Sequence, residues 1–431
     1  MTNKKFKLAA MSLATAVAVS TVGPSASAVT YYLGDGSVTV DKDEKRGAYS
    51  YQGDDGSETN RTYVNEDEAD HGVINVKDGN APAEEVTDNS DNGTEVPTPT
   101  DNDTQSTDAS GNNAENSPTA ETTTGNTITV MEDVKKTEKA DGTEGNDVKI
   151  VVDSVNVDTT STPTEVATDT GNTGDKTIIK VGEGANVDLT VKDSNLTTGG
   201  NGIDIGVNLK DDDDNKETNV DLTLDNTKIN LTENATAGIN ARDNSDVDIT
   251  LKGDNTIDGS EAIDKVTEGG GHDISKDNVN IEGIRVGGEG ASDSSDASEG
   301  ANTKLTISGG VEKTETAETD TEETESPAGG SLTINETTGG LVMADGSDVE
   351  ITDGADVTIE DTKTSGATQA GRAVTQHGDL TISGGSSLTI DGVEDNAKQA
   401  PHTGIGIASW DEIKVEDGST LDTHPDRKSV V

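Results

Sequence analysis

The side chains best placed to do chemistry are acids that recur in short apolar strands, each followed two residues later by threonine. The stretch 187–191 (VDLTV) is typical, and the acids concerned are Asp188, Asp221, Asp248, Glu350 and Asp379. Side chains that flank an inward-facing residue point outward, so stacked strands would align the acids in one column and the threonines in another. Hard cations such as Ca2+ take carboxylate and hydroxyl-like oxygen ligands. The pattern therefore favours a solvated face balanced by counterions in solution, because salt screens exposed charges, and a calcium-binding column along these acids is the further prediction.

Residues for other kinds of chemistry are absent or dispersed. The chain has no cysteine, which excludes disulfides, thiolate metal sites and cysteine nucleophiles. The histidines and the arginines near apolar strands are scattered: His71, His272, His377, His402, His424, Arg242, Arg285 and Arg372. A glycoside hydrolase needs two carboxylates that face one cleft, and the acids are too numerous for one pair to be singled out. We therefore predict a protein without catalytic residues; a lyase or hydrolase acting on an acidic polysaccharide is the alternative.

The overall composition limits both the core and the partners. Lys and Arg number 31 against 85 Asp and Glu, which gives a net charge of -54, and only 28% of the residues are hydrophobic. A charge this negative repels nucleic acid and anionic lipid, so we expect divalent cations and extracellular ligands as partners. No aromatic residue occurs between residues 64 and 409, which excludes a globular core built on Phe, Tyr and Trp. For Trp410 we expect a ring that covers one end of the core; an exposed sugar-stacking face is the alternative.

A repeat of short strands runs through the chain from residue 148 onward, with turns of Gly, Asn, Asp and Ser. The first strand type has apolar centres at Leu189, Leu222, Ile249, Leu305, Ile351, Leu380 and Ile413, of which the first three are spaced 33 and 27 residues apart. A second strand follows seven or eight residues later, and a third opens with glycine and a branched apolar residue, from Gly202 to the last copy at Gly404. About three short strands per coil predict an all-β parallel β-helix solenoid, whose narrow inward columns need few apolar residues.

The first 28 residues have the three parts of a secretory signal peptide. A basic start at 4–7 precedes the apolar run 8–22, and the small-residue site 26–28 (ASA) suits a signal peptidase. No later stretch is long and apolar enough to span a bilayer. We therefore expect a secreted or cell-surface protein that is not inserted in a membrane.

Composition also divides the mature chain. Residues 29–80 contain the tyrosines and short strand-like pieces, and we expect a first set of strands or an N-terminal cap. Residues 81–125 are rich in Thr, Asp, Asn, Glu and Pro without periodic apolar positions, which predicts a disordered acidic linker. The remaining boundaries are a parallel β-helix over 126–425, acidic inserts near 287–303 and 309–327, and an off-pattern tail at 426–431, which we interpret as the end of a fragment.

The strand sequences resemble those of a known group of proteins. The stretches 379–385 (DLTISGG), 250–257 (TLKGDNTI) and 32–40 (YLGDGSVTV) are similar to exported β-helix surface proteins of gut Gram-positive bacteria. That family is described as adhesin-like or carbohydrate-binding. The resemblance implies a non-enzymatic surface protein that binds an extracellular glycan or a host surface protein, and it supplies no catalytic residue. A structural surface stalk is a further alternative.

Overall fold

The computed structural model describes residues 29–33, 37–43, 48–50, 73–78, 122–132, 134, 148–160, 176–209, 216–232, 234–263, 280–287, 302–310, 329–363, 371–393 and 405–424. These residues form 29 strands and one helical turn at 260–263. In chain order the strands are β1 Val29–Tyr32, β2 Val38–Asp43, β3 Ala48–Ser50, β4 Val73–Lys77, β5 Thr123–Thr124, β6 Ile128–Val130, β7 Val148–Asp153, β8 Asn156–Asp158, β9 Ile179–Gly182, β10 Asn186–Lys192, β11 Asn195–Thr198, β12 Ile203–Val207, β13 Thr218–Asp225, β14 Lys228–Leu231, β15 Ala237–Ala241, β16 Ser245–Lys252, β17 Asp254–Asp258, β18 Glu282–Val286, β19 Lys304–Ser308, β20 Ser331–Asn335, β21 Gly339–Met343, β22 Asp348–Thr352, β23 Asp356–Glu360, β24 Arg372–Gln376, β25 Asp379–Ile382, β26 Ser387–Asp391, β27 Ile405–Ser409, β28 Ile413–Val415 and β29 Thr420–His424.

The strands stack in three sheets, and this arrangement confirms the predicted all-β parallel β-helix. The first sheet has the order β1-β4-β7-β10-β13-β16-β19-β22-β25-β28, the second β29-β26-β23-β20-β17-β14-β11-β8-β5, and the third β27-β24-β21-β18-β15-β12-β9-β6-β2-β3. One coil therefore contributes one strand to each sheet, as β10, β11 and β12 do. Neighbours pair in parallel, as β10 does with β13, whereas β3 folds back antiparallel on β2.

The interior consists of columns of aliphatic side chains, with one residue from each coil. Leu189, Leu222 and Ile249 pair in successive strands of the first sheet and are at most 1% exposed. Ile229 and Ile257 do the same in the second sheet. Burial alternates along these strands, so each offers only two to four residues to the interior. The low hydrophobic content of the chain is therefore sufficient to fill a coil.

One register position of the third sheet is occupied by small residues in successive strands, because the chain there passes close to the second sheet. This row contains Gly202, Gly238, Gly283, Gly340, Ala373 and Gly406. A Cβ on Gly283 would lie 2.3 Å from Cγ2 of Ile334 and 2.6 Å from the carbonyl oxygen of Gly340. The last copy differs from the sequence prediction by two residues, because Ile405 pairs with Arg372 and places Gly406, not Gly404, in the row.

The β-helix begins earlier in the chain than the predicted boundary at residue 126. β1 pairs with β4 and β4 with β7, so the segment 29–80 supplies the first strands of the first sheet. β5 lies within the range predicted as linker and pairs with β8. The predicted signal peptide at 1–28, residues 81–121 of the predicted linker, residues 288–301 and 311–327 of the predicted inserts, and the predicted tail at 426–431 lie outside the described residues.

The links between strands differ in length without changing the pairing. Residues 199–202 join β11 to β12, whereas residues 259–281 join β17 to β18. Both β12 and β18 nevertheless pair in parallel with β15, which lies between them. The difference in length falls at the corner between the second and third sheets and leaves the stacked strands unaffected.

Candidate functional site

Three of the predicted acids stand side by side on the outer face of the first sheet. Asp188 pairs with Asp221 and Asp221 with Asp248, and we call these three residues the acidic row. Adjacent strands are about 4.8 Å apart, so neighbouring charges in the row repel by about 1 kcal/mol per pair even in water. Lys149 lies at one end, with its Nζ 3.2 Å from Oδ2 of Asp188. Thr306 lies at the other end, opposite Asp248.

The other two predicted acids do not extend the acidic row. Glu350 is opposite Thr306, so it occupies the same line of positions but is separated from Asp248 by the threonine. Asp379 is opposite Asp348, in the neighbouring line. The prediction that all five acids share one continuous column is therefore wrong.

The error comes from a shift of two residues in the strand alignment. The sequence spacing placed Leu305 opposite Ile249, but Leu305 pairs with Val247. Side chains alternate between faces with a period of two, so a two-residue shift leaves inward and outward positions unchanged. The pattern of apolar and polar residues therefore could not detect it.

A shallow groove lies beside Glu350 and Asp379, and its lining combines one lysine with three acidic side chains. Its volume is about 290 Å3, and it is lined by Lys304, Asp348, Val349, Glu350, Asp379 and Thr381. The Nζ of Lys304 is 3.9 Å from Oδ1 of Asp246. Burial raises the pKa of the Asp246 carboxyl; Lys304 opposes this rise, and Asp248 and Glu217 add to it. The described part of the chain contains no group of three or more acids or histidines that could hold a metal ion, so the calcium column stays a prediction.

In other rows of outward-facing residues, formed by the same position of successive strands, hydroxyl or ammonium groups alternate with the acids. In the second sheet one line reads Asp254, Ser331, Asp356 and Ser387, and both serine hydroxyls donate to the preceding aspartate, at 3.0 and 2.5 Å. In the first sheet a line of alternating charge reads Asp153, Lys192, Asp225 and Lys252. The acidic row differs from both because its neighbours carry the same charge.

The third sheet carries a buried ion pair. Arg242 donates from Nε and Nη2 to the two carboxylate oxygens of Asp204, at 2.9 Å each. The Nδ2 atoms of Asn240 and Asn201 donate to the same carboxylate at 2.8 and 2.9 Å. Asp204 is 2% exposed, so its charge depends on these four donors. The group is a structural network, since its carboxylate is fully occupied.

An exposed aromatic pair follows the last strands of the third sheet. Trp410 is 55% exposed, and the ring of His377 stacks on it with centroids 4.1 Å apart and planes inclined by 11°. The two residues occupy equivalent places in successive coils. The backbone N–H of Trp410 donates to the backbone carbonyl of Gln376, and one coil earlier the backbone N–H of His377 donates to the backbone carbonyl of Met343. The guanidinium carbon of Arg372 is 5.9 Å from the Trp410 ring centroid. We call Trp410, His377 and Arg372 the Trp410 platform.

The expectation that Trp410 covers an end of the core is wrong. Its indole lies outside, and the partly buried Ile413 and Leu421 pack against the core in this region instead. Sequence reasoning missed the platform because it treated the tryptophan alone. The signal that could have found it is the spacing of 33 residues between His377 and Trp410, which equals one of the coil spacings.

His424 is the one remaining histidine within the described residues. His424 lies on β29, with its Nε2 3.5 Å from Oδ2 of Asp422, and both side chains are exposed. His71, His272 and His402 lie outside the described residues.

Comparison with known proteins adds no relative to this description. No protein-family model, curated protein or solved structure matches the chain. Within the described ranges, no helix has both the length and the apolar composition that a bilayer crossing requires. Functional interpretation therefore depends on the outer faces of the three sheets.

Proposed function

We propose that this protein is an exported, non-enzymatic surface protein that binds an extracellular glycan, as an adhesin or carbohydrate-binding module does. The observation that carries the proposal is the Trp410 platform, in which a large ring is 55% exposed in a chain with only 2% aromatic residues. An exposed indole forgoes the free energy of burial, so a ring held outward suits a ligand that covers it. The signal-peptide pattern of residues 1–28 supports export.

The Trp410 ring is held in one orientation. His377 covers one of its faces at a centroid distance of 4.1 Å, and the Trp410 backbone is tied to Gln376. The exposed part of the indole, 55% of the residue's surface, suits an apolar group of matching size, such as the C–H face of a pyranose. A side chain that is already fixed loses little conformational entropy when the ligand binds, which favours affinity.

As a second candidate function, we propose that divalent cations bind weakly along the acidic row. Support comes from the alignment of Asp188, Asp221 and Asp248 in successive coils. A cation between neighbours would offset a repulsion of about 1 kcal/mol per pair. Because no described group of acids encloses an ion, we expect little selectivity between Ca2+ and Mg2+. A calcium ion held in this way could also bridge the protein to an acidic glycan.

A panel of extracellular glycans incubated with the mature protein tests the main proposal, with binding and product release measured in the same samples. We expect binding without new reducing or unsaturated ends. Trp410→Ala should abolish binding, whereas Val415→Ala, which truncates a 42% exposed side chain on the nearby strand β28, should keep it. New chain ends would instead support a lyase or hydrolase. Failure to bind any glycan would favour a stalk or a host-protein ligand.

A further inference from the structure

We infer that the Trp410 platform recognises an anionic sugar, whose carboxylate or sulfate is bound by the guanidinium of Arg372; this inference rests on the proposed glycan-binding function. The first observation is a contrast among three arginines of the third sheet. Arg242 is paired with Asp204 at 2.9 Å and Arg285 with Glu282 at 2.5 Å. Arg372 has no ion pair with any described residue, and its guanidinium carbon lies over the Trp410 ring, 5.9 Å from the centroid.

The strand register explains why Arg372 lacks a carboxylate neighbour. It stands opposite Gly339 in one adjacent strand and Ile405 in the other, and neither carries a charge. Its Nε is buried and has no hydrogen-bond acceptor among the described residues. The cost of this unpaired donor is not offset by a carboxylate within the described residues, so an anionic ligand would have no ion pair of Arg372 to displace. Acids outnumber bases 85 to 31 in this chain, which makes an arginine without a carboxylate informative.

Guanidinium chemistry identifies the kind of group that would bind. A planar guanidinium matches carboxylate or sulfate through two parallel N–H···O bonds. The guanidinium carbon is 5.9 Å from the Trp410 ring centroid, so an acidic substituent at the rim of a sugar covering the indole comes within reach of the side chain. The ring would thus recognise the shape of the sugar, and Arg372 would recognise its charge.

Nearby acids determine the conditions of the test. Asp411 and Glu412 follow Trp410 in the chain and are exposed. They repel an anionic ligand through water, and salt screens such repulsion beyond about 8 Å at physiological ionic strength. Contact with Arg372 is short in range by comparison. Binding should therefore be measured at physiological ionic strength.

Three oligosaccharides of equal length provide the test: a neutral glucose oligomer, a glucuronate-containing oligomer and a sulfated glucose oligomer. We expect at least one anionic oligomer to bind about 10-fold more tightly than the neutral one, as one charge-assisted contact allows. Arg372→Gln should remove that preference without changing neutral binding, and Arg372→Lys should retain part of it as a point charge. Lys414→Gln is the matched control, because it makes the same change in net charge at an exposed residue 2.7 Å from Glu416 and should leave all three affinities unchanged.

The outcomes separate this inference from the proposed function. An equal loss for all three oligomers in Arg372→Gln would overturn the inference, because it would give Arg372 only a supporting role for the indole. If Arg372→Gln does not fold, as judged by its melting temperature, the reduced preference expected of Arg372→Lys decides. Neutral binding that requires Trp410 together with an unchanged preference in Arg372→Gln would refute the inference and leave the proposed function intact. If the unmodified protein binds neither anionic oligomer, the inference fails, and the panel of extracellular glycans decides the proposed function separately.

Discussion

Replacement of Gly283 by alanine should destabilise the β-helix, although it adds a single methyl group. The new Cβ would lie 2.3 Å from Cγ2 and 3.0 Å from Cδ1 of Ile334, and 2.6 Å from the carbonyl oxygen of Gly340. Carbon atoms in contact prefer about 3.5–4.0 Å, so one of these groups must move by about 1 Å or more. Ile334 is 0% exposed within the core and has no free space to enter. Overpacking of this kind lowers the free energy of unfolding by about 1–3 kcal/mol, and for Gly283→Ala we expect a loss of about 3 kcal/mol.

The same row of small residues supplies the control. The nearest atom to a Cβ on Gly406 would be Cγ2 of Ile390 at 3.8 Å, an ordinary contact distance. Gly406→Ala should therefore be neutral or should stabilise by about 0.4–1 kcal/mol, because alanine restricts the unfolded chain. Ala373 already occupies this row, so a methyl group is compatible with it where the surroundings leave room.

Urea unfolding followed by far-ultraviolet circular dichroism measures the change in stability. Hydrogen exchange should locate the effect in β18, β20 and β21, because a solenoid need not unfold in one step. Ile334→Ala removes the clashing atoms, so Gly283→Ala should cost less in that background and the double-mutant cycle should show coupling. The reasoning is refuted if Gly283→Ala is tolerated as well as Gly406→Ala, or if its cost does not depend on Ile334.

Four further predictions concern charged residues. Asp204→Asn should lower the free energy of unfolding by about 3 kcal/mol, because the Arg242 guanidinium, which is 28% exposed, loses the buried carboxylate of its ion pair. A loss below about 1 kcal/mol would mean that water already shares the pair. Asp248→Asn should stabilise by about 1 kcal/mol at low salt and by less as salt is added, because it removes a like charge from the acidic row. Calcium and magnesium should raise the melting temperature more than sodium at equal ionic strength, and an equal rise in Asp248→Asn would place the cations elsewhere. Burial would raise the pKa of Asp258, but hydrogen bonds from Ser260 and Lys228 outweigh it and lower that pKa below its usual 3.8. The resulting stability is present above pH 3.8 and is lost as the pH falls through the lower folded-state value, so Asp258→Asn should make acid unfolding less steep than in the unmodified protein.

The fold could be predicted because the sequence repeats the pattern of its own interior. The spacing of Leu189, Leu222 and Ile249 aligns the same residues in the structure. For the later coils, the sequence did not reveal the register, that is, which inward residue of one strand pairs with which inward residue of the next strand. Leu380, for example, pairs with Val349 and not with Ile351. Both alignments bury the same face, so the choice depends on turns and packing that one strand does not encode.

The candidate site was predictable to a smaller extent. Asp188, Asp221 and Asp248 adjoin one another because they lie where the sequence alignment is correct. The exposure of Trp410 was not predicted, because tryptophan is mostly buried on average and a single residue gives no information about its neighbours. Only the adjacent coil, which supplies His377, determines that the ring is supported from outside the core.

The unequal links between strands do not change how far along the β-helix axis the Trp410 platform lies. Height along the axis is set by the number of coils, and the nine steps from β1 to β28 of about 4.8 Å each give about 43 Å. Lengthening a link from the four residues 199–202 to the 23 residues 259–281 costs about 1.5 kcal/mol of closure entropy, at about 0.6 kcal/mol per doubling. Reach and lateral surface can therefore change independently. Duplication of one coil would move the Trp410 platform about 4.8 Å along the axis, whereas growth of a link would alter the sides and leave the reach unchanged.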